Sequence, residues 1–111
     1  MDERRKFERL NLPKNSQAFV TDRGGKRLGN LSVLGRGGFQ IDLRDNAAFP
    51  SGSSHEVAIV DESEGIRRDV KGTVRMSNPG AVGFEFEDLS PDAAVEVGVI
   101  IGKYYSAANN N

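Results

Sequence analysis

Between Gln17 and Asp88 apolar residues recur at every second position in short runs separated by turn residues, the pattern of half-buried strands. Ala18 and Val20 form the first run and Leu28 opens the next, with "TDRGGKR" between them. Gly24-Gly25 can supply the positive φ angles of a tight hairpin turn, so these two strands are expected to be antiparallel. "FQIDL" alternates Phe39, Ile41 and Leu43 against Gln40 and Asp42. After the loop "DNAAFPSGSS", "HEVAIV" places Val57 and Ile59 on one face and Ala58 and Val60 on the other, as in a strand covered on both sides. "DESEG" turns the chain, "IRRDVKGTVRMS" gives a longer and more polar strand through Val70 to Met76, and "NPG" turns it again. "AVGFEFED" then alternates Val82, Phe84 and Phe86. Six strands result, close to the smallest set that closes a barrel and removes exposed sheet edges.

Both flanks break this pattern. Residues 1–16 have little apolar periodicity and end in Pro13, Asn15 and Ser16, which predicts a mobile arm that orders only when something binds it. At the other end, Ser90 suits a helix N-cap, Pro91 the first helical position and Asp92 the positive end of the helix dipole. Ala93, Val97, Ile100 or Ile101, and Tyr104 follow at helical spacing and would lie on the barrel. Val95, Val97, Val99 and Ile101 also alternate as in a strand, and Gly98 and Gly102 each cost a helix interior about 1 kcal/mol. The capping signals favour the helix. "SAANNN", residues 106–111, reads as a disordered polar tail. With no internal repeat and no second domain visible, the chain divides into an arm (1–16), a domain (17–105) and a tail (106–111).

At 111 residues the chain buries about two-thirds of its unfolded surface and holds one core without cross-links. The absence of cysteine excludes disulfides, thiolate metal sites and cysteine nucleophiles, and fits a reducing compartment. A single histidine, His55, excludes a multi-histidine metal site. No run approaches the roughly 20 apolar residues of a membrane span, so a cytoplasmic location with no membrane contact is expected. Fifteen basic and sixteen acidic residues give a net charge of -1, which argues against a nucleic acid polymer as partner. The arm itself is mixed, with Arg4, Arg5, Lys6 and Arg9 against Asp2, Glu3 and Glu8.

Two stretches carry candidate chemistry. In "RRKFER", Arg5 and Arg9 are four apart, with Arg4 ahead of the pair. A guanidinium is planar and permanently charged, and its fork of donors pairs with a phosphate or with the O6 and N7 edge of guanine. In "NLSVLG", Asn30 and Ser32 are two apart and so share one face of an extended strand. Asn30 can accept from a guanine donor, and the Ser32 hydroxyl can bond a neighbouring edge or a phosphate. Gly35 lets the backbone turn or a ligand approach closely.

An Arg-x-x-x-Arg arm ahead of a short-stranded barrel, followed about twenty residues later by Asn/Asp-x-Ser-x-x-Gly, resembles the PilZ domain, a bacterial receptor module for cyclic dimeric GMP. Arg5 and Arg9 match the first motif; Asn30, Ser32 and Gly35 match the second. "VGFEFEDLSPD", a glycine-bearing last strand running into Leu-Ser-Pro, is also similar to the end of many such domains. The resemblance implies an all-β fold, a six-stranded antiparallel β-barrel with a C-terminal α-helix, that takes cyclic di-GMP as ligand and needs no cofactor or metal. It implies that Arg5 and Arg9 hold the ligand from the arm, Asn30 and Ser32 hold a guanine from the barrel, and Gly35 shapes the turn between. Arg4 matches a position where family members with an arginine bind two mutually stacked ligands, so two molecules per chain are expected. Ordering of the arm over the ligand would alter the surface met by a downstream protein. "RGGF" after the second motif departs from many relatives and predicts a local bulge; Arg36 there points either into the site or away from it.

Other functions have weaker support. A barrel of the same family that binds no ligand would be a protein interaction module, with a surface around Tyr104 and Tyr105 unless these are core residues. A single-stranded nucleic acid binder is disfavoured by the net charge and the lack of tryptophan. An enzyme is disfavoured because His55 and the serines of "SGSS" are sequence neighbours without a nucleophile elbow, and His55 reads as a surface residue. Asp61, Glu62 and Glu64 lack the glycine and final glutamate of a calcium loop and read as a solvated turn.

Overall fold

The computed structural model describes residues 9–109. The six expected strands form as β2 (Ala18–Asp22), β3 (Arg27–Gly35), β4 (Gly38–Leu43), β5 (Ser54–Asp61), β6 (Ile66–Asn78) and β7 (Gly80–Glu87). They are preceded by a short strand, β1 (Arg9–Asn11), and followed by α1 (Pro91–Asn109). Neighbours run antiparallel in the order β3-β2-β5-β6-β7-β4, and β4 bonds back to β3, so six strands close a barrel and β1 is an extra strand on β3. Gly25 takes the positive φ (94°) that the first hairpin needs and donates its N–H to Asp22 O at 3.1 Å.

The inward positions fill the barrel. Val20, Leu34, Phe39, Ile41, Val74 and Val82 are fully buried, and Phe39 stacks on Phe84 with ring centroids 4.7 Å apart. Leu31 and Leu34 are three apart, a spacing that puts residues on opposite faces of a regular strand. Both are nevertheless buried, because Ser32 and Val33 together face the single residue Gln40: Leu31 pairs with Ile41, Val33 with Gln40 and Leu34 with Phe39. The bulge expected in "RGGF" therefore sits earlier, inside the Asn-x-Ser-x-x-Gly stretch. Close approach fixes two glycines. A Cβ on Gly29 would lie 1.9 Å from the Asp42 carbonyl oxygen, and one on Gly38 2.1 Å from that of Phe84; both contacts are to backbone.

α1 begins as expected, with Ala93 N–H donating to Ser90 Oγ at 3.1 Å. Ala93, Val97, Ile100 and Tyr104 form its buried stripe against the barrel, which excludes the alternative strand reading, while Tyr105 is exposed. The glycines at 98 and 102 lie off the buried stripe, whose packing on the barrel offsets their cost to the helix; a Cβ at either position would meet open space.

Four expectations are corrected. Residues 9–11 of the arm form β1, because Leu10 and Leu12 pack against the core and the backbone joins β3 at Val33, Leu34 and Gly35, beyond its pairing with β2. The helix continues through residues 106–109, where a polar tail was expected; Ala107 and Ala108 are strong helix formers. His55 is half-buried, with Phe49 4.6 Å and Phe84 6.3 Å from its ring. The turn after β5 is not simply solvated, since Asp61 is fully buried and its Oδ1 accepts from Ser63 N–H at 3.0 Å and Ser63 Oγ at 2.6 Å.

Lys103 of α1 completes this last arrangement, with Nζ 3.5 Å from Asp61 Oδ2 and 3.4 Å from Glu64 Oε2. Burial alone would raise the Asp61 pKa, but the Ser63 hydrogen bonds and the Lys103 charge outweigh it and hold the carboxyl below its ordinary value. A depressed folded-state pKa gives stability that is present above the unfolded-state value, about 3.9, and is lost as pH falls through the folded value. Lys103→Met is therefore expected to lower stability at pH 7 and to lose most of that deficit once Asp61 is protonated in strong acid. Urea melts of both proteins from pH 7 down to the acid transition measure this; a deficit constant with pH would contradict it.

Candidate functional site

The two candidate stretches meet where β1 lies along β3. Arg9, the first residue of β1, pairs with Gly35, the last of β3; Leu10 pairs with Leu34 and Asn11 with Val33. Leu12 N–H then donates to Ser32 O at 2.9 Å. The chain thus runs antiparallel along the second stretch from its glycine back to its serine, anchored by Leu10 and Leu12 and leaving Arg9 exposed. Arg4 and Arg5 lie outside the described residues.

Two grooves flank this crossing. The first, about 380 Å³, is lined by Arg9, Gly35, Gly37, Gly38, Arg75 and Glu85 among others. The second, about 360 Å³, is lined by Lys14, Asn30, Ser32 and Asp42 with Leu12 and Pro13. The structure therefore joins Arg9 to Gly35, and Asn30 to Ser32, at opposite ends of the β1 segment. Gly35 is a buried strand residue, and the positive-φ glycines are Gly25, Gly52, Gly65 and Gly80. Arg36 lines neither groove; it borders a third, about 370 Å³, with Leu89, Ala94, Val95, Val97 and Gly98 beside α1.

The polar groups around these grooves are partly pre-set. Arg75 Nε lies 2.6 Å from Glu85 Oε1 in an exposed ion pair, which contributes little to stability and is open to competition by another anion. Arg27 Nη2 donates to Asn30 Oδ1 at 2.6 Å, and its guanidinium lies 4.0 Å from the centre of the Phe19 ring. Ser32 Oγ donates to Gln40 O at 3.1 Å. Sequence reasoning missed Arg75. Its signal was the outward position beside buried Val74 in "TVRMS", but linking it to Arg9 requires the closure of β4 onto β3 and β7.

A groove with a glycine backbone floor and two guanidiniums suits phosphate, while the second groove, with amide, hydroxyl, carboxylate and ammonium groups, suits the edge of a base. The Ser53–His55 contact does not form a nucleophile and base. Ser53 Oγ donates its one proton to Pro50 O at 2.6 Å, so His55 Nε2, 2.8 Å away, is the donor to Ser53. Among the described residues, no three His, Cys, Asp or Glu side chains are grouped to hold a metal ion, and no helix is long and apolar enough to cross a membrane.

Comparison with known proteins agrees with this fold. The PilZ domain of YcgR from Escherichia coli, solved with c-di-GMP, superposes with a TM-score of 0.77 at 16% identity, over 97% of this chain and 96% of that one. The MrkH–c-di-GMP complex of K. pneumonia gives 0.75 at 13% identity, over 99% of this chain. The Bacillus subtilis inhibitor of motility, MotI/DgrA, gives 0.67 at 16% identity, over 92% of this chain. This chain spans 56% of the MrkH chain and 51% of the MotI/DgrA chain. By sequence, no curated protein matches it. The sequence profile of the PilZ domain matches residues 3–101, nearly the whole chain, and the protein belongs to the PilZ domain family.

Proposed function

We propose that the protein is a cyclic di-GMP receptor, with the ligand seated on the outer face of the barrel where β1 lies along β3. The observation that carries this reading is the pairing of Arg9 with Gly35, which unites two motifs about twenty residues apart in sequence. The c-di-GMP complexes of the similar YcgR and MrkH domains support it. In this reading Arg5 and Arg9 hold phosphates and a guanine edge from the arm, Asn30 and Ser32 contact a guanine, and Gly35 keeps the groove floor clear. Arg4 supports a second, stacked ligand, giving two per chain. The chain works as a receptor in the cytoplasm and not as an enzyme, with a downstream protein reading the change as the part of the arm ahead of β1 orders over the ligand.

Titration calorimetry with cyclic di-GMP, with GTP as the control for simple anion binding, tests the reading. Saturable heat with cyclic di-GMP alone is expected, at two ligands per chain; equal responses to both nucleotides, or none, would contradict it. Arg75 leads to a further expectation. Because Glu85 holds its guanidinium and adds negative charge to the groove, Glu85→Gln should tighten cyclic di-GMP binding several-fold, most clearly at low salt. Unchanged affinity across a salt series would take Arg75 out of the site.

A second reading, a protein interaction module without ligand, draws on the exposed apolar side chains of α1, Val95, Val99 and Tyr105. A silent calorimetric titration together with loss of partner capture on Val95→Asp would favour it.

A further inference from the structure

We propose that Asp42 is a guanine-reading residue acting jointly with Asn30. The inference rests on the receptor reading above and adds to it the residue that selects the base. Leu31 and Ile41 pair across β3 and β4 with both side chains inward, so the next residues along, Asn30 and Asp42, lie on the outer side of adjoining strands. Both are exposed, and both line the same groove. Gly29 allows this proximity, since a side chain there would strike the Asp42 carbonyl oxygen.

The pair complements one edge of guanine. Along its Watson–Crick edge guanine presents the O6 acceptor, then the N1–H donor, then the N2–H donors. It is met by one donor beside two acceptors. Arg27 donates to Asn30 Oδ1, which orients the amide so that Nδ2 can meet O6, where the sequence alone pointed to Asn30 as an acceptor from guanine. The Asp42 carboxylate is acceptor-only with two oxygens and matches N1–H and N2–H together. Adenine inverts both contacts: its amino group would face the amide NH2, and its N1 lone pair would face the carboxylate. Ser32 has spent its proton on Gln40 O and presents lone pairs alone. Arg27, held over Phe19, is the positioning residue that keeps the amide in this orientation.

The test is calorimetric titration of the wild-type chain and Asp42→Asn with cyclic di-GMP and with cyclic di-AMP at one salt concentration. Loss of a paired carboxylate is expected to weaken cyclic di-GMP about tenfold or more and to reduce the preference over cyclic di-AMP by a similar factor, with the melting temperature unchanged. Electrostatics alone predicts the opposite sign, because removing a negative charge from a dianion's site tightens binding. Asp42→Asn binding equal to or tighter than wild type overturns the proposal while leaving the receptor reading in place; a wild-type chain that binds neither dinucleotide overturns both. Arg27→Met should lower the guanine preference, whereas Arg27→Lys, which keeps a cationic donor, should retain it. A preference unmoved by Arg27→Met removes Arg27 from the account.

Discussion

Arg9→Ala is expected to weaken cyclic di-GMP binding by about ten- to a hundredfold, the effect of losing one charge-assisted pair with a phosphate or base edge, about 1.5–3 kcal/mol. The melting temperature should stay within a degree or two. β1 is held by its backbone bonds to β3 and by Leu10 and Leu12 against the core, none of which the Arg9 side chain supplies. Arg5→Ala should act the same way, since the arm motif assigns both arginines to the ligand. Calorimetry on the variant with a parallel thermal melt separates the two effects. Wild-type affinity in Arg9→Ala would mean that the β1 crossing is only a structural patch on the barrel.

Phe39→Ala should have the largest effect on stability. Its side chain is fully buried, stacked on Phe84 at 4.7 Å and close to Phe86 at 5.4 Å. It also pairs with Leu34 on β3 and with Phe84 on β7, the two seams through which β4 closes the barrel. Deleting a buried phenylalanine costs about 3–5 kcal/mol, a large share of the ~5–15 kcal/mol that holds a domain of this size. Urea denaturation measures the loss. A value below about 1 kcal/mol would show that the core relaxes around the gap and that the aromatic stack is not what closes the barrel.

Much of the fold was legible because the outward residues of the strands are polar and the turns carry the residues that turns require. Alternation in "FQIDL" and "AVGFEFED" gave the correct faces, and Ser90-Pro91-Asp92 marked the start of α1. Three of the features that escaped show why. β1 is only three residues long, and Leu10 and Leu12 are too brief a pattern to show that they join an edge of β3. The bulge at Ser32 depends on Leu31 and Leu34 both facing the core, a requirement visible only once β4 is their neighbour. Asp61 read as one of three surface acids, and the cation that pairs with it once it is buried, Lys103, is more than forty residues away.

The candidate site divides along the same line. Its motifs were legible because Arg9, Asn30, Ser32 and Gly35 stand at recognisable spacings. Arg75, Glu85, Asp42 and Arg27 were not, because each reaches the site through strand pairing. Asp42 was correctly read as outward-facing in "FQIDL", but its nearness to Asn30 follows from the β3–β4 register and the absent side chain at Gly29.

Cyclic di-GMP seated on the outer face where β1 lies along β3 should be visible in a titration of ¹⁵N-labelled protein followed by amide NMR. Shifts are expected to concentrate on Arg9, Asn30, Ser32, Gly35 and Gly38, with the buried stripe of α1 at Val97 and Ile100 unmoved. Shifts centred on Val95, Val99 and Tyr105, or a spectrum unchanged at saturating ligand, would contradict it.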